Sequence, residues 1–213
     1  MTQPPPREQV RMTWILFDYG NVICHPQADT DLGLMASAAR CTVPELSDPY
    51  WSYRQDYDRG TLDGPMFWQK IGAAVGQSYS GGQIAELIRL DSASWLHLRD
   101  ETLALIKELA DAGHRLALLS NAPANMAAVI SALPFAARFE HLAFSGCLKA
   151  VKPEPEVFHT VLARLGVSPG AVIFVDDRSE NVEAAAALGM RTVRFTSPEQ
   201  TRTALAGHGV LAM

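Results

Sequence analysis

Four short stretches carry side chains that could act together on a phosphate. They are Asp18 after the apolar run WILF, Ser120-Asn121 after RLALL, Lys152 just before Pro153, and the paired acids Asp176-Asp177 after AVIFV. Each has an ordinary explanation. Asp18 could cap or turn the chain, Ser120 and Asn121 could be turn residues, and Lys152 could be solvated. Asp177 with Glu180 three residues on has the spacing of a helix capping box. Together they fit a stronger one, because a hydroxyl, a lysine and three carboxylates in one pocket suit phosphoryl transfer. An anionic carboxylate approaches an anionic phosphate only when positive charge neutralises the oxygens. Lys152 and Mg²⁺ would supply that charge, since Mg²⁺ accepts a few carboxylate or carbonyl oxygens and leaves the rest to water and substrate.

Convergence requires elements that bring distant residues to one edge. WILFDYGNVI, from Trp14, is a short apolar run stopped by an acid and a glycine, as in a buried strand ending in a turn. RLALLSN, AVIFVDD and the shorter RTVRF repeat the pattern, and HLAFSG near Ala143 is a weaker candidate. Between them, ETLALIKELADAG, EPEVFHTVLARLG and ENVEAAAALG place apolar residues at three- and four-residue intervals and end on Gly113, Gly166 and Gly189. Strands alternating with such helices predict an α/β fold with a mainly parallel sheet, whose carboxyl ends share one edge. The stretch 26–98 breaks the alternation with amphipathic pieces rich in Trp, Tyr and Phe. It is expected to be a helical insertion over that edge, with 11–25 and 99–213 forming the core.

With 213 residues, 48% of them hydrophobic, the chain can bury a substantial core. A net charge of -5 and the lack of a dense Lys/Arg run argue against a nucleic-acid partner. Cys24, Cys41 and Cys147 are too widely spaced for a zinc site and read as reduced thiols. No run of ~18 apolar residues predicts a membrane span. Residues 1–10 are proline-rich and polar, read as a flexible leader without a signal peptide, and the expected location is cytoplasmic. The sequence is compatible with a monomer or a homodimer.

The motifs FDYGNV at Phe17 to Val22, LLSNAP at Leu118 to Pro123, VKPEPEVF at Val151 to Phe158 and VDDRSENVEAA at Val175 to Ala185 resemble the haloacid dehalogenase (HAD) superfamily. The resemblance spans the core and implies a HAD-like Rossmannoid parallel sheet with a helical cap inserted after the first strand. The DYGN form and YDRGTL at Tyr57 to Leu62 look most like the sugar-phosphate phosphatases acting on α-D-glucose 1-phosphate. The resemblance implies that Asp18 attacks phosphorus to form an aspartyl-phosphate. Ser120, the backbone around Asn121, and Lys152 would hold the phosphoryl oxygens. Asp18, Asp177 and the carbonyl of Gly20 would bind Mg²⁺, Asp176 would serve directly or through water, and Asn181 would orient Lys152. The substrate would be a small phosphorylated metabolite such as a sugar 1-phosphate.

One position departs from that pattern: Gly20 stands where the phosphatase motif has a second Asp that protonates the leaving alcohol. General acid catalysis typically contributes about 10²- to 10⁴-fold, or roughly 3 to 5 kcal/mol. Three explanations stay open. The leaving group needs little help, as with an anomeric hydroxyl; or another side chain substitutes, with His25 nearest and Asp29 and Asp31 farther on; or the reaction is metal-independent hydrolytic dehalogenation of a 2-haloacid. Repulsion among Asp18, Asp176 and Asp177 without a cation weighs against the last. A catalytically weak HAD-fold protein that binds a metabolite or protein is a further alternative. Among the insertion's side chains, Tyr57 and Arg59 are the expected substrate contacts.

Overall fold

A computed structural model describes residues 13–211, so the leader expected at 1–10 lies outside the described residues. The sheet holds β1 (Trp14–Phe17), β2 (Arg115–Ser120), β3 (His141–Phe144), β4 (Val172–Asp176) and β5 (Arg191–Arg194), in the order β3-β2-β1-β4-β5. All pairs are parallel, with Phe17 opposite Leu118 on one side and Val175 on the other. The weaker candidate HLAF is thus an edge strand of the same sheet.

Helices cover both faces, as near-continuous apolar strands require. Ile15 and Phe17 point into a cluster with α5 (Asp100–Asp111), α6 (Ala124–Ser131) and α10 (Pro198–Gly207), and Trp14 and Leu16 point into a second with α8 (Pro155–Leu165) and α9 (Ser179–Ala187). Each fully buried Leu, Ile or Phe contributes about 1.5–3 kcal/mol. The glycine stops form as expected: Gly166 caps α8 at φ 67°, while Gly113 and Gly189 follow α5 and α9 at φ 86° and 90°.

After β1 the chain turns through Asn21, at φ 57°, and leaves the sheet. Its exit and return run side by side through an antiparallel bridge between Cys24 and Leu98, supported by His25 N–H to His97 C=O (2.8 Å) and Arg99 N–H to Ile23 C=O (2.8 Å). Between these passes lie α1 (Asp29–Ala38), α2 (Val43–Arg59), α3 (Gly64–Ala74) and α4 (Gly81–Ser94). They bury a cluster of their own, including Met35, Leu46, Tyr50, Tyr57, Phe67, Trp68 and Leu87.

Helix α2 is the longest of these, at 17 residues. Thr42 accepts the Glu45 N–H in a capping box, and Gly60 ends the helix in the left-handed region. Gly60 also meets the short helix α7 (Ser145–Leu148), where an added Cβ would lie 2.7 Å from the Gly146 carbonyl oxygen. Gly60→Ala is therefore expected to destabilise the protein by about 1–3 kcal/mol, lowering Tm by at least about 2 °C. Gly33→Ala, with open space around it inside α1, should raise stability by about 0.5–1 kcal/mol. Urea unfolding of both variants checks the pair of signs.

Candidate active site

Parallel register places the acids. Asp18 follows β1, its N–H bonded to the Val175 carbonyl at 2.9 Å, and Asp176 ends the adjacent β4. Between them sits the Lys152 ammonium, 2.7 Å from Asp18 Oδ1 and 2.7 Å from Asp176 Oδ2. All three are buried. Asn121 fixes the lysine by its backbone: its Oδ1 accepts the Lys152 N–H at 2.8 Å and its Nδ2 donates to the Lys152 carbonyl at 3.0 Å. Ser120 comes off β2 beside it.

Asn181 does not touch Lys152; its Nδ2 reaches both Asp176 oxygens, at 2.9 and 3.0 Å, so that it acts on the lysine through Asp176. With the Arg178 N–H on Asp176 Oδ1 at 2.9 Å, Asp176 is held on several sides and orients the lysine in turn. The Asp177–Glu180 capping box does not form. Arg178 occupies the N-cap of α9 with no side-chain cap bond, and Asp177 Oδ2 instead accepts Asn21 Nδ2 at 3.0 Å.

Asp18, Asp176 and Asp177 each offer an oxygen, and these lie within 4.8 Å of one another. Burial pushes the Asp18 carboxyl up to about 7, against the pull of Lys152 and helped by Asp176 and Asp177. Burial also raises Asp177. Lys152 is held above its ordinary range because Asp18 and Asp176 outweigh the burial that opposes its charge. Three hard oxygen donors with one ammonium leave negative charge in excess, and that donor set fits a small divalent cation.

A cavity of about 490 Å³ opens at this edge. Asp18, Gly20, Ser120, Asn121, Lys152, Asp177 and Asn181 line its floor. The facing wall is α2, through Trp51, Arg54, Gln55 and Asp58, with Trp95 beside them. The wall residues nominated from sequence are not among these. Tyr57 is 1% exposed, stacked on Phe67 at 4.3 Å and donating its hydroxyl to Asn125 Oδ1 at 2.8 Å. Arg59 is paired with Glu154 at 2.5 Å, outside the cavity lining. His25 is exposed and lines a separate hollow with Arg99 and Arg202, so it cannot serve Asp18. Asp31 is engaged by His97 at 2.7 Å, and neither it nor Asp29 borders the cavity.

Arg54, Gln55 and Asp58 were missed from sequence, although Trp51, Arg54, Gln55 and Asp58 recur at i, i+3, i+4 and i+7. That spacing was the available signal. Arg54 is the pivot of the wall. Its Nε donates to Asp58 Oδ1 at 2.8 Å, and its Nη1 donates to the Tyr50 hydroxyl at 2.7 Å and to Asp91 Oδ1 at 3.1 Å.

The chain belongs to the haloacid dehalogenase-like hydrolase family, whose model matches residues 12–189. It is 26% identical over 184 residues to sesquiterpene phosphatase astK of Aspergillus oryzae, covering 85% of this chain and 88% of that protein. It is 36% identical over 70 residues to mouse Acyl-CoA dehydrogenase family member 10, covering 32% of this chain but only 6% of that far longer protein. The fold is shared with the HAD family enzyme bt-2542 of Bacteroides thetaiotaomicron in complex with magnesium and inorganic phosphate (TM-score 0.67, 22% identity, 86% of this chain and 93% of that one). It is shared equally with L-2-haloacid dehalogenase of Xanthobacter autotrophicus (TM-score 0.67, 18% identity, 94% and 84%). The chain is a hydrolase. Among the described residues no helix is long and apolar enough to cross a membrane.

The crowded acids predict a pH signature. A carboxyl raised from 3.8 to about 7 holds its proton more tightly in the folded chain. The stability this contributes is complete below about pH 4 and is lost as pH rises through about 7. In chelator, Tm should fall across that window, and Asp18→Asn should reduce the fall by at least about 2 °C. Identical pH dependence of the two melting curves would contradict this.

Proposed function

We propose that this hydrolase is a Mg²⁺-dependent phosphatase that cleaves a small phosphorylated metabolite through an aspartyl-phosphate on Asp18. The observation that carries the reading is the convergence of Asp18, Asp176 and Asp177, with a single ammonium, that of Lys152, paired to the first two. A metal-free dehalogenase needs no such excess of negative charge, and a silent binding protein needs no buried nucleophile. The phosphatase named among the relatives supports the same reading.

Asp18, Asp177 and the Gly20 carbonyl would hold Mg²⁺, with Asp176 serving directly or through water. When bound, the cation neutralises phosphoryl oxygens and so lets two anions approach. Asp18 supplies the attacking oxygen, dividing one displacement into two easier ones. Lys152, fixed by Asn121 and Asp176, orients Asp18 and meets the transferring charge. Ser120 and the backbone around Asn121 bind phosphoryl oxygens. Helices α1–α4 act as the cap, and α2 supplies the specificity wall.

That wall supports a sugar phosphate, such as a sugar 1-phosphate. Trp51 and Trp95 offer flat apolar faces to a pyranose ring, while Gln55, Arg54 and Asp58 offer hydroxyl partners, in a space of about 490 Å³. Phosphate release should require Mg²⁺ and be highest on sugar phosphates when compared with nucleotides. Asp18→Asn should lower it by about 10³-fold or more. Equal activity in that variant would refute the mechanism, and halide release from a 2-haloacid without metal would establish a dehalogenase instead.

A further inference from the structure

Gly20 leaves the reaction without a proton donor at the sheet edge, and space is not the reason. A Cβ at position 20 would meet only Trp95 Cζ3, at 3.9 Å. We propose that Asp58, in the last turn of α2, is the general acid and base of the reaction, facing Asp18 across the cavity. The inference rests on the phosphatase reading above.

Four observations place Asp58 for this work. It borders the same cavity as Asp18 and Lys152, with its side chain 13% exposed. Contacts join position 20 to it: the Trp95 ring beside Gly20 lies 5.5 Å from the Arg54 guanidinium, whose Nε holds Asp58 Oδ1 at 2.8 Å. The core fixes its backbone, because Ser145 Oγ donates to the Asp58 carbonyl at 2.5 Å while accepting the Ala122 N–H at 2.9 Å, beside Ser120-Asn121. Although carried by the inserted helices, Asp58 is therefore tied to the phosphate side of the site.

The fourth observation is charge. Arg54 stands between two carboxyls, Asp58 and Asp91, and Lys152 is already engaged by Asp18 and Asp176. One guanidinium cannot neutralise both acids, so one of them is the natural holder of a proton. Asp91 Oδ1 accepts from both Arg54 and the Tyr50 hydroxyl. Asp58 accepts only the Arg54 Nε among the described residues. Burial lifts its carboxyl to about 7, with Arg54 and Lys152 opposing and Asp91 adding to the rise. A carboxyl in that range can be both donor and acceptor near neutral pH.

The steps balance. As an Asp18 oxygen bonds to phosphorus, the bond from phosphorus to the ester oxygen breaks, and the Asp58 proton goes to that oxygen, so a neutral alcohol leaves. Asp58, now a carboxylate, takes a proton from water. The water oxygen bonds to phosphorus, the Asp18–phosphorus bond breaks, and inorganic phosphate departs with the proton restored to Asp58.

The test is the leaving-group dependence of Asp58→Asn, measured by rapid quench with Mg²⁺ on an alkyl phosphate and on 4-nitrophenyl phosphate. Loss of the donor should slow the first step about 10²- to 10⁴-fold for the alkyl ester. Nitrophenolate, a stable anion, should still appear in a burst that is slowed far less. Gly20→Asp added to Asp58→Asn should recover part of the alkyl activity. Equal losses on both esters, or no loss on the alkyl ester, would overturn the role of Asp58 while leaving the phosphatase reading intact. Should Asp58→Asn fail to fold, the unmodified protein decides: a shallow dependence of rate on leaving-group acidity supports a donor, and a steep one overturns it. No phosphate release from any ester by the unmodified protein would remove the phosphatase reading, and this inference with it.

Discussion

The structure depends on one buried contact, the Lys152 ammonium between Asp18 and Asp176. Each group alone would be costly to remove from water, and breaking such a buried pair typically destabilises by about 3–5 kcal/mol. Much of the surrounding fold follows from keeping the three together. β1 and β4 must be neighbours in parallel register so that the two acids emerge side by side. Asn121 must hold the lysine by its backbone, and Asn181, at both Asp176 oxygens, with the Arg178 N–H at Oδ1, must complete the bonding of the carboxylate that Lys152 meets. Even so, one ammonium does not balance the site once Asp177 is counted. The residual charge is a stability deficit retained where chemistry occurs.

A second, separate charge centre lies across the cavity. Arg54 collects Asp58, Asp91 and the Tyr50 hydroxyl beside the apolar cluster that the helices bury. Its guanidinium lies 5.5 to 5.6 Å from the rings of Tyr50, Tyr57 and Trp95, so the cation is held by π faces as well as by carboxylates. The network joins α2 to α4 and fixes the direction in which α2 presents its polar face.

The floor of the site was legible in the sequence and the wall was not, and the difference is physical. A strand end has one address in an open parallel sheet, so an acid after an apolar run goes to the carboxyl edge wherever it occurs in the chain. A helix offers several faces, and the face that meets a cavity depends on what the opposite face buries. In α2 the buried residues are Leu46, Tyr50, Arg54 and Tyr57, so that Tyr57 goes into the interior beside Phe67 while the Arg54 side chain still reaches the cavity lining. Arg59 was lost to Glu154, a partner 95 residues away that no local pattern announces. His25 is near Asp18 in sequence, but it is exposed and lines a hollow separate from the cavity at Asp18.

The paired exit and return at Cys24 and Leu98 give the inserted helices a particular evolutionary status. Two adjacent chain ends can receive any segment whose own ends lie close together, without altering strand order or register in the sheet. Exchange of that segment would replace Trp51, Arg54, Gln55 and Asp58 in a single event while leaving Asp18, Lys152 and Asp176 in place. Selectivity for the alcohol and the means of protonating it would then be inherited as one module, free to diverge from the phosphate-handling floor.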